Sequence, residues 1–143
     1  MRCAAVLLAL AACGGDDTPV QIDAAPAADA SPIDAAPPRE LIMETRPLQP
    51  GEIIEGIMTG GPNDLALIHL EAPAMEIDWN IHSHPGNGSA VVVYEERNRM
   101  VVDYAFVPSQ QEDWYLLIKN SGPTSMDVIV RVGLYGDMAW RWE

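Results

Sequence analysis

Apolar and polar side chains alternate along much of this chain, and this pattern constrains the fold more than any other feature. Between residues 75 and 82 the apolar positions are Met75, Ile77, Trp79 and Ile81, and a polar residue follows each of them. Residues 100–106 and 128–134 show a similar alternation. A period of two residues is that of a β-strand with one buried and one exposed face, whereas a helix repeats every 3.6 residues. We therefore predict an all-β domain.

Turn residues divide residues 40–143 into short segments. Glycine, proline and small polar residues cluster at 59–63, 85–89, 108–113, 120–125 and 136–137, and a charged turn is predicted at 96–99. The intervening segments give about eight strands, at 41–46, 52–59, 64–71, 75–83, 90–96, 99–107, 114–120 and 126–142, the last broken near Gly136. Regularly spaced short strands are typical of a β-sandwich or barrel. A domain of this length can bury enough surface to fold without disulfide bonds.

Apolar segments and large aromatic side chains predict where the core lies. The segments Trp114 to Ile118 and Val91 to Tyr94 are apolar on both faces, which is typical of central strands. Trp79 and Trp114 are therefore the expected centres of the core. Trp140 and Trp142 face one side of the last strand, where two interpretations stay open: a hydrophobic cover over the sandwich end, or a pair that stacks on a ligand.

The first thirteen residues resemble the signal sequence of a bacterial lipoprotein. Arg2 precedes an apolar run from Ala4 to Ala12, shorter than the roughly 20 residues that span a bilayer. The run ends in Leu10-Ala11-Ala12-Cys13, which resembles a lipobox. This resemblance implies that residues 1–12 are removed as a signal peptide and that Cys13 is acylated, which gives stable membrane attachment. The alternative is an ordinary signal peptide with an incidental cysteine.

Residues 13–39 are predicted to form a disordered linker between the lipid anchor and a domain at 40–143. Alanine, proline and aspartate predominate from Asp16 to Pro38, and the prolines exclude a helix. Gly14 follows Cys13, whereas an aspartate there resembles the inner-membrane retention signal of enterobacterial lipoproteins. Within a bacterial cell envelope, the outer membrane is therefore the favoured location.

A second resemblance concerns the domain itself. Three features carry it: Pro50-Gly51 opening a strand, Phe106-Val107-Pro108 before a polar turn, and Trp114 to Asn120 leading to Val128-Ile129-Val130. In this order they resemble the end of a GOLD/emp24-type domain and are similar to bacterial pre-peptidase C-terminal domains. Both families are jelly-roll-like, and their members typically bind proteins or accompany other modules. The resemblance implies a single jelly-roll-like antiparallel β-sandwich with a protein or envelope-component partner.

Charge and cysteine content exclude several function classes. The chain has 21 acidic and 8 basic side chains, a net charge of −13, and Lys119 is its single lysine. Nucleic-acid binding and adhesion to anionic lipid both need clustered lysine or arginine, so we expect neither. Because Cys3 and Cys13 are the only cysteines, the domain has no thiol nucleophile and no cysteine-ligated zinc.

His82 and His84 are the strongest candidates for chemistry. Residues two apart on a strand face the same side, so these imidazoles are predicted to approach one copper or zinc ion, with Asp78 farther along that face. His69 is the third histidine, and its sequence position does not show whether it joins them. The alternative is a pair of histidines that brace a strand end through bonds to backbone carbonyls.

The sequence contains no recognisable catalytic motif. The chain has no Gly-x-Ser-x-Gly elbow and no glycine-rich loop leading into a helix. The acidic pairs Glu95-Glu96 and Glu112-Asp113 are adjacent, so their side chains point to opposite faces of a strand. The sequence therefore favours a lipid-anchored, non-enzymatic binding or structural module over its alternative, a periplasmic copper- or zinc-binding protein.

Overall fold

The computed structural model describes residues 36–143, which form an all-β domain. Within this range nine strands follow one another, with a short 3₁₀ turn at Pro85–Asn87. The strands are β1 (Glu40–Leu48), β2 (Ile53–Gly60), β3 (Leu65–Glu71), β4 (Ile77–Ser83), β5 (Val91–Arg99), β6 (Val101–Phe106), β7 (Glu112–Asn120), β8 (Met126–Tyr135) and β9 (Ala139–Trp142). The eight predicted strands are all present, and the last is broken in two at Gly136, where φ is +77°.

The nine strands form two antiparallel sheets. A four-stranded sheet has the order β1-β8-β3-β6, and a five-stranded sheet has the order β5-β4-β7-β2-β9. Strands pair from the two ends of the domain inward, β1 with β8, β2 with β7, β3 with β6 and β4 with β5. This is the arrangement of a jelly roll, with β9 added beside β2. The predicted jelly-roll-like β-sandwich is confirmed.

Alternate side chains of both sheets fill the space between them. Trp79 on β4 and Trp114 on β7 are 1% and 2% exposed, as predicted for the centres of the core. The Trp79 ring centroid lies 5.2 Å from that of Tyr94 and 5.4 Å from that of Tyr104, and those two tyrosines stack on each other at 4.2 Å. The indole N–H of Trp79 donates to the Glu96 carboxylate at 3.2 Å, so the buried ring keeps a polar partner.

Two buried polar residues hold the turns. Asp64 accepts hydrogen bonds from the backbone N–H groups of Gly61 at 2.8 Å and Asp137 at 2.7 Å, and so joins two turns. The Asn120 side chain is fully buried; its amide donates to the carbonyls of Leu48 at 3.1 Å and Thr124 at 2.8 Å. Its side-chain oxygen accepts from the Gly122 N–H at 2.9 Å. Every polar group of Asn120 is therefore satisfied, which burial requires.

Two expectations about the middle of the chain are wrong. Val91 to Tyr94 lie in β5, which is an edge strand and not a central one. The predicted turn at 96–99 is part of the same strand, which continues to Arg99 and turns at Met100. Asn98 has a φ of +54°, and its N–H donates to the Asp78 carboxylate at 2.9 Å. A side chain from β4 thus stabilises the irregular backbone at Asn98. The residues around Asn98 do not reveal this contact.

We expect Asn120→Leu to lower the free energy of unfolding by about 2–4 kcal/mol, because two carbonyls and one N–H lose their partner in the interior. Urea unfolding followed by tryptophan fluorescence measures this change. The control is Ser125→Ala, which removes an exposed bond to Gln49 and should change the free energy by less than about 0.5 kcal/mol. Equal effects of the two substitutions would contradict the role of Asn120.

Candidate functional site

The predicted histidine pair lies on the outer face of the five-stranded sheet. Because alternate residues of β4 point into the core, His82 points outward, and His84 follows at the strand end. In the pairing register, Tyr115 of β7 lies beside His82. Glu55 of β2 and Glu143, which follows β9, complete the group. We call these five residues the outer-face cluster.

His82 is the buried member of the outer-face cluster, with 5% of its surface exposed. Its Nδ1 lies 2.8 Å from the Asn80 side-chain oxygen, and its ring stacks on Tyr115 with centroids 5.2 Å apart and planes at 16°. Burial lowers the pKa of His82, and the neighbouring His84 lowers it further. A neutral ring that donates from Nδ1 to Asn80 keeps Nε2 as an acceptor.

His84 is the exposed member of the histidine pair. Its ring centroid lies 5.1 Å from that of His82 and 4.9 Å from that of Tyr115, each in an edge-to-face arrangement. Its Nδ1 lies 3.4 Å from the Gly88 carbonyl oxygen, a long contact across the 3₁₀ turn. The two imidazoles are therefore neighbours, as the spacing predicted, and each has a contact with another group of the protein.

Glu55 has the largest pKa shift in the outer-face cluster. Its carboxylate lies 3.8 Å from His82 Nε2, and its side chain is 20% exposed. Burial, the largest cause, acts together with a hydrogen bond to the Glu143 carboxyl and that group's charge to raise the pKa of Glu55 to about 7, while His84 opposes the shift. The proximity of Glu143 thus favours the protonated form of Glu55, because two like charges disfavour ionisation of both carboxyl groups.

Beside the cluster, an ion pair ties β9 to β7. The Arg141 guanidinium donates to Asp113 at 2.6 Å and to the Thr59 hydroxyl at 3.1 Å. Hydrogen bonds from Arg141 and Thr59 lower the pKa of Asp113. The one cation that β9 contributes to this face is therefore already paired with Asp113.

The other predicted metal ligands do not join the histidine pair. His69 lies on β3, in the other sheet, with its Nδ1 2.7 Å from Asp103. Asp78 accepts hydrogen bonds from Asn98 and Ser121, away from both rings. Among residues 36–143, no group of three or more His, Cys, Asp or Glu residues has the geometry to hold a metal ion. Metal binding by His82 and His84 alone stays a prediction.

Trp140 and Trp142 cover the side of the sandwich between β9 and β1. The Trp140 ring lies over Gly56, where any side chain would collide with it, and its centroid is 5.1 Å from that of Trp142. The Trp142 N–H donates to Glu44 at 3.0 Å, and the Arg46 guanidinium lies 4.6 Å above the Trp142 ring. Because both rings pack against the core, this geometry fits the hydrophobic cover better than the ligand-stacking pair.

The predicted lipidation site, Cys13, lies outside the described residues, as do the predicted signal peptide and most of the linker. Within residues 36–143, none of the helical structure is long and apolar enough to cross a membrane.

Sequence reasoning missed Glu55, Tyr115 and Glu143 as neighbours of the histidines. Tyr115 belongs to a segment predicted to be apolar on both faces, and Glu55 is separated from His82 by 27 positions in the chain. The strand order β4-β7-β2-β9 brings these residues together. Alternation indicates which face of a strand a residue lies on, but it carries no information about which strands are neighbours.

Comparison with known proteins finds a structure of similar fold but no family to which the chain can be assigned. No protein-family model matches the chain, and no curated protein matches it. The crystal structure of the Yersinia pseudotuberculosis-derived mitogen is similar, with a TM-score of 0.50 and 13% identity over 70% of this chain and 89% of that chain. At this identity the likeness shows the β-sandwich fold alone. The resemblances to lipoproteins and to GOLD/emp24-type or pre-peptidase C-terminal domains stay predictions.

The raised pKa of Glu55 makes stability depend on pH. A carboxyl whose pKa rises from 4.5 to about 7 on folding contributes stability below pH 4.5 that is lost as the pH rises through 7. We expect Glu55→Gln to remove this loss, so that the variant gains stability relative to wild type between pH 4.5 and 8.

Urea unfolding at several pH values measures the difference between wild type and Glu55→Gln. The lowered pKa of His82 acts in the opposite direction, since its contribution is lost as the pH falls below 6.5. Subtracting the pH profile of Glu55→Gln from that of wild type gives the contribution of Glu55 to the pH dependence of the free energy of unfolding. Glu40→Gln, at an exposed carboxylate, is the control, and parallel profiles for wild type and Glu55→Gln would contradict the shift.

Proposed function

We propose that this protein is a lipid-anchored protein of the bacterial cell envelope whose β-sandwich is a non-enzymatic binding or structural module. The lipobox-like Leu10-Ala11-Ala12-Cys13 supports the anchor, and the Ala/Pro/Asp-rich linker supports a domain held away from the membrane. Gly14 after Cys13 favours the outer membrane. The partner is a protein or another envelope component and not a nucleic acid, because the chain has a net charge of −13.

The observation that carries the proposal is the position of the outer-face cluster on an open sheet surface. Tyr115 and the two imidazoles form a ring cluster on the outer face of the five-stranded sheet, and within residues 36–143 neither sheet places a strand over that face. Catalytic sites usually lie in concave pockets that exclude water, whereas an open surface with aromatic and hydrogen-bonding groups suits contact with a macromolecule. Tyrosine and histidine supply apolar area together with polar groups at little cost in conformational entropy.

The charge of the domain also supports lipid-dependent attachment. Residues 40–143 contain 16 acidic and 6 basic side chains, a net charge of −10. Such a domain is repelled by an anionic membrane surface, so it needs the acyl chains for attachment.

Metabolic labelling with a radioactive fatty acid tests the anchor. We expect label in the wild-type chain and none in Cys13→Ala, which should also move from the membrane fraction to the soluble fraction. Cys3→Ala is the control, since Cys3 lies within the predicted signal peptide, and it should be labelled as wild type is. Equal labelling of wild type and Cys13→Ala would contradict lipidation at Cys13.

Affinity capture from envelope extracts tests the binding surface. We expect Tyr115→Ala to retain at least about tenfold less of any specifically captured component, because a central aromatic residue often carries more than 1.4 kcal/mol of binding energy. Tyr135→Ala, which changes a partly buried tyrosine on the other sheet, is the matched control. Equal capture by the two variants would place the binding surface elsewhere.

A further inference from the structure

The outer-face cluster contains two carboxylates that are not paired with a lysine or an arginine. The Glu55 and Glu143 carboxyl groups are joined by a hydrogen bond, and the Glu143 N–H donates to the Glu55 carbonyl at 3.0 Å. Among residues 36–143, the arginine ion pairs go to other acids. Arg46 lines the same hollow as these two acids, but it is paired with Glu44 at 3.3 Å and lies over Trp142.

His82 turns a third acceptor toward Glu55. Its side chain is 6% exposed, and its Nε2 lies 3.8 Å from the Glu55 carboxylate, which is longer than a hydrogen bond. Because Nδ1 of the neutral ring donates to Asn80, Nε2 carries a lone pair and no hydrogen. Within residues 36–143 this nitrogen has no hydrogen-bond partner. A buried polar atom is normally hydrogen-bonded, so Nε2 points to a donor supplied by a ligand.

The spacing of these acceptors favours an ammonium group over a metal ion. A primary ammonium has three N–H donors and no acceptor. Its nitrogen lies about 2.8 Å from its acceptors in charge-assisted hydrogen bonds, so it fits between two atoms that are 3.8 Å apart. A metal ion about 2.1 Å from the same two atoms would need an angle of about 130° between them, wider than in tetrahedral or octahedral coordination.

We propose that the outer-face cluster binds the ammonium group of a lysine side chain from a partner protein, with Glu55, Glu143 and Nε2 of His82 as its acceptors. This inference rests on the function proposed above and names the group that the partner contributes. A basic partner complements the net charge of −10 on the domain. The rings of Tyr115 and His84, which meet edge to face beside the acceptors, offer apolar area to the lysine stem.

An NMR titration of the full chain with Nα-acetyl-lysine amide tests this site. The chain carries Cys3→Ser and Cys13→Ser, so no lipid is attached. The titration is made at pH 8, where Glu55, with its pKa of about 7, is ionised. We expect a dissociation constant below about 10 mM. The Nε-acetylated probe has no charge and should bind at least about tenfold more weakly. The arginine probe, whose planar fork suits a single carboxylate, should also bind more weakly.

Two variants with the same change in charge separate this site from the general acidity of the domain. Glu55→Gln and Glu40→Gln each remove one negative charge, and Glu40 is exposed at the start of β1. We expect Glu55→Gln to weaken binding of the lysine probe at least about tenfold and Glu40→Gln to weaken it less than about twofold. Because Glu55→Gln is expected to be more stable than wild type at pH 8, unfolding would not explain its loss of binding.

Three results would each overturn the proposal: no binding of the lysine probe at about 10 mM, binding of the acetylated or arginine probe as tight as that of the lysine probe, or equal effects of Glu55→Gln and Glu40→Gln. The function proposed above is tested separately, because capture with Tyr115→Ala does not use the lysine probe. If capture depends on Tyr115 but the lysine probe does not bind, the binding surface stands and the lysine inference alone is wrong.

Discussion

The burial of alternate side chains between two sheets is the constraint on which the rest of this structure depends. Trp79 and Trp114 lie at the centre of that layer, almost fully buried. Because the side-chain period of a strand is two, a slip of one residue in β4 would turn Trp79 outward and His82 inward. The hydrogen bond from Trp79 to Glu96 and the contacts of Trp79 with Tyr94 and Tyr104 hold this register.

The same alternation creates the outer face, where two carboxylates respond to different surroundings. Asp113 faces the Arg141 guanidinium, which lowers its pKa, whereas Glu55 faces burial and a second carboxyl, which raise its pKa to about 7. The difference arises because Arg141 and Thr59 donate hydrogen bonds to Asp113, whereas Glu55 is partly buried and lies beside Glu143. With its pKa raised to about 7, Glu55 titrates close to neutral pH.

The two open sides of the sandwich differ in how far they are covered. Between β1 and β9, Trp140 and Trp142 cover the core, and Glu44 and Arg46 supply a hydrogen bond and a cation–π contact. Gly56 leaves room for the Trp140 ring. On the other side, a groove of about 390 Å³ runs beside β5 and β6 and is lined by Val93, Tyr104, Ala105, Phe106, Val107, Ser109 and Trp114. The molecule thus protects one open side and leaves apolar surface on the other.

Sequence by itself determined the class of the fold, the approximate strand positions and two centres of the core, because alternation and turn residues are local properties. It also placed His82 and His84 on one face. Tertiary structure alone decided that Val91 to Tyr94 form an edge and that His69 lies in the other sheet. It also decided that Glu55 and Tyr115 join the histidines. These facts depend on strand order, which arises from pairing between distant segments and leaves no periodic signal in the residues themselves.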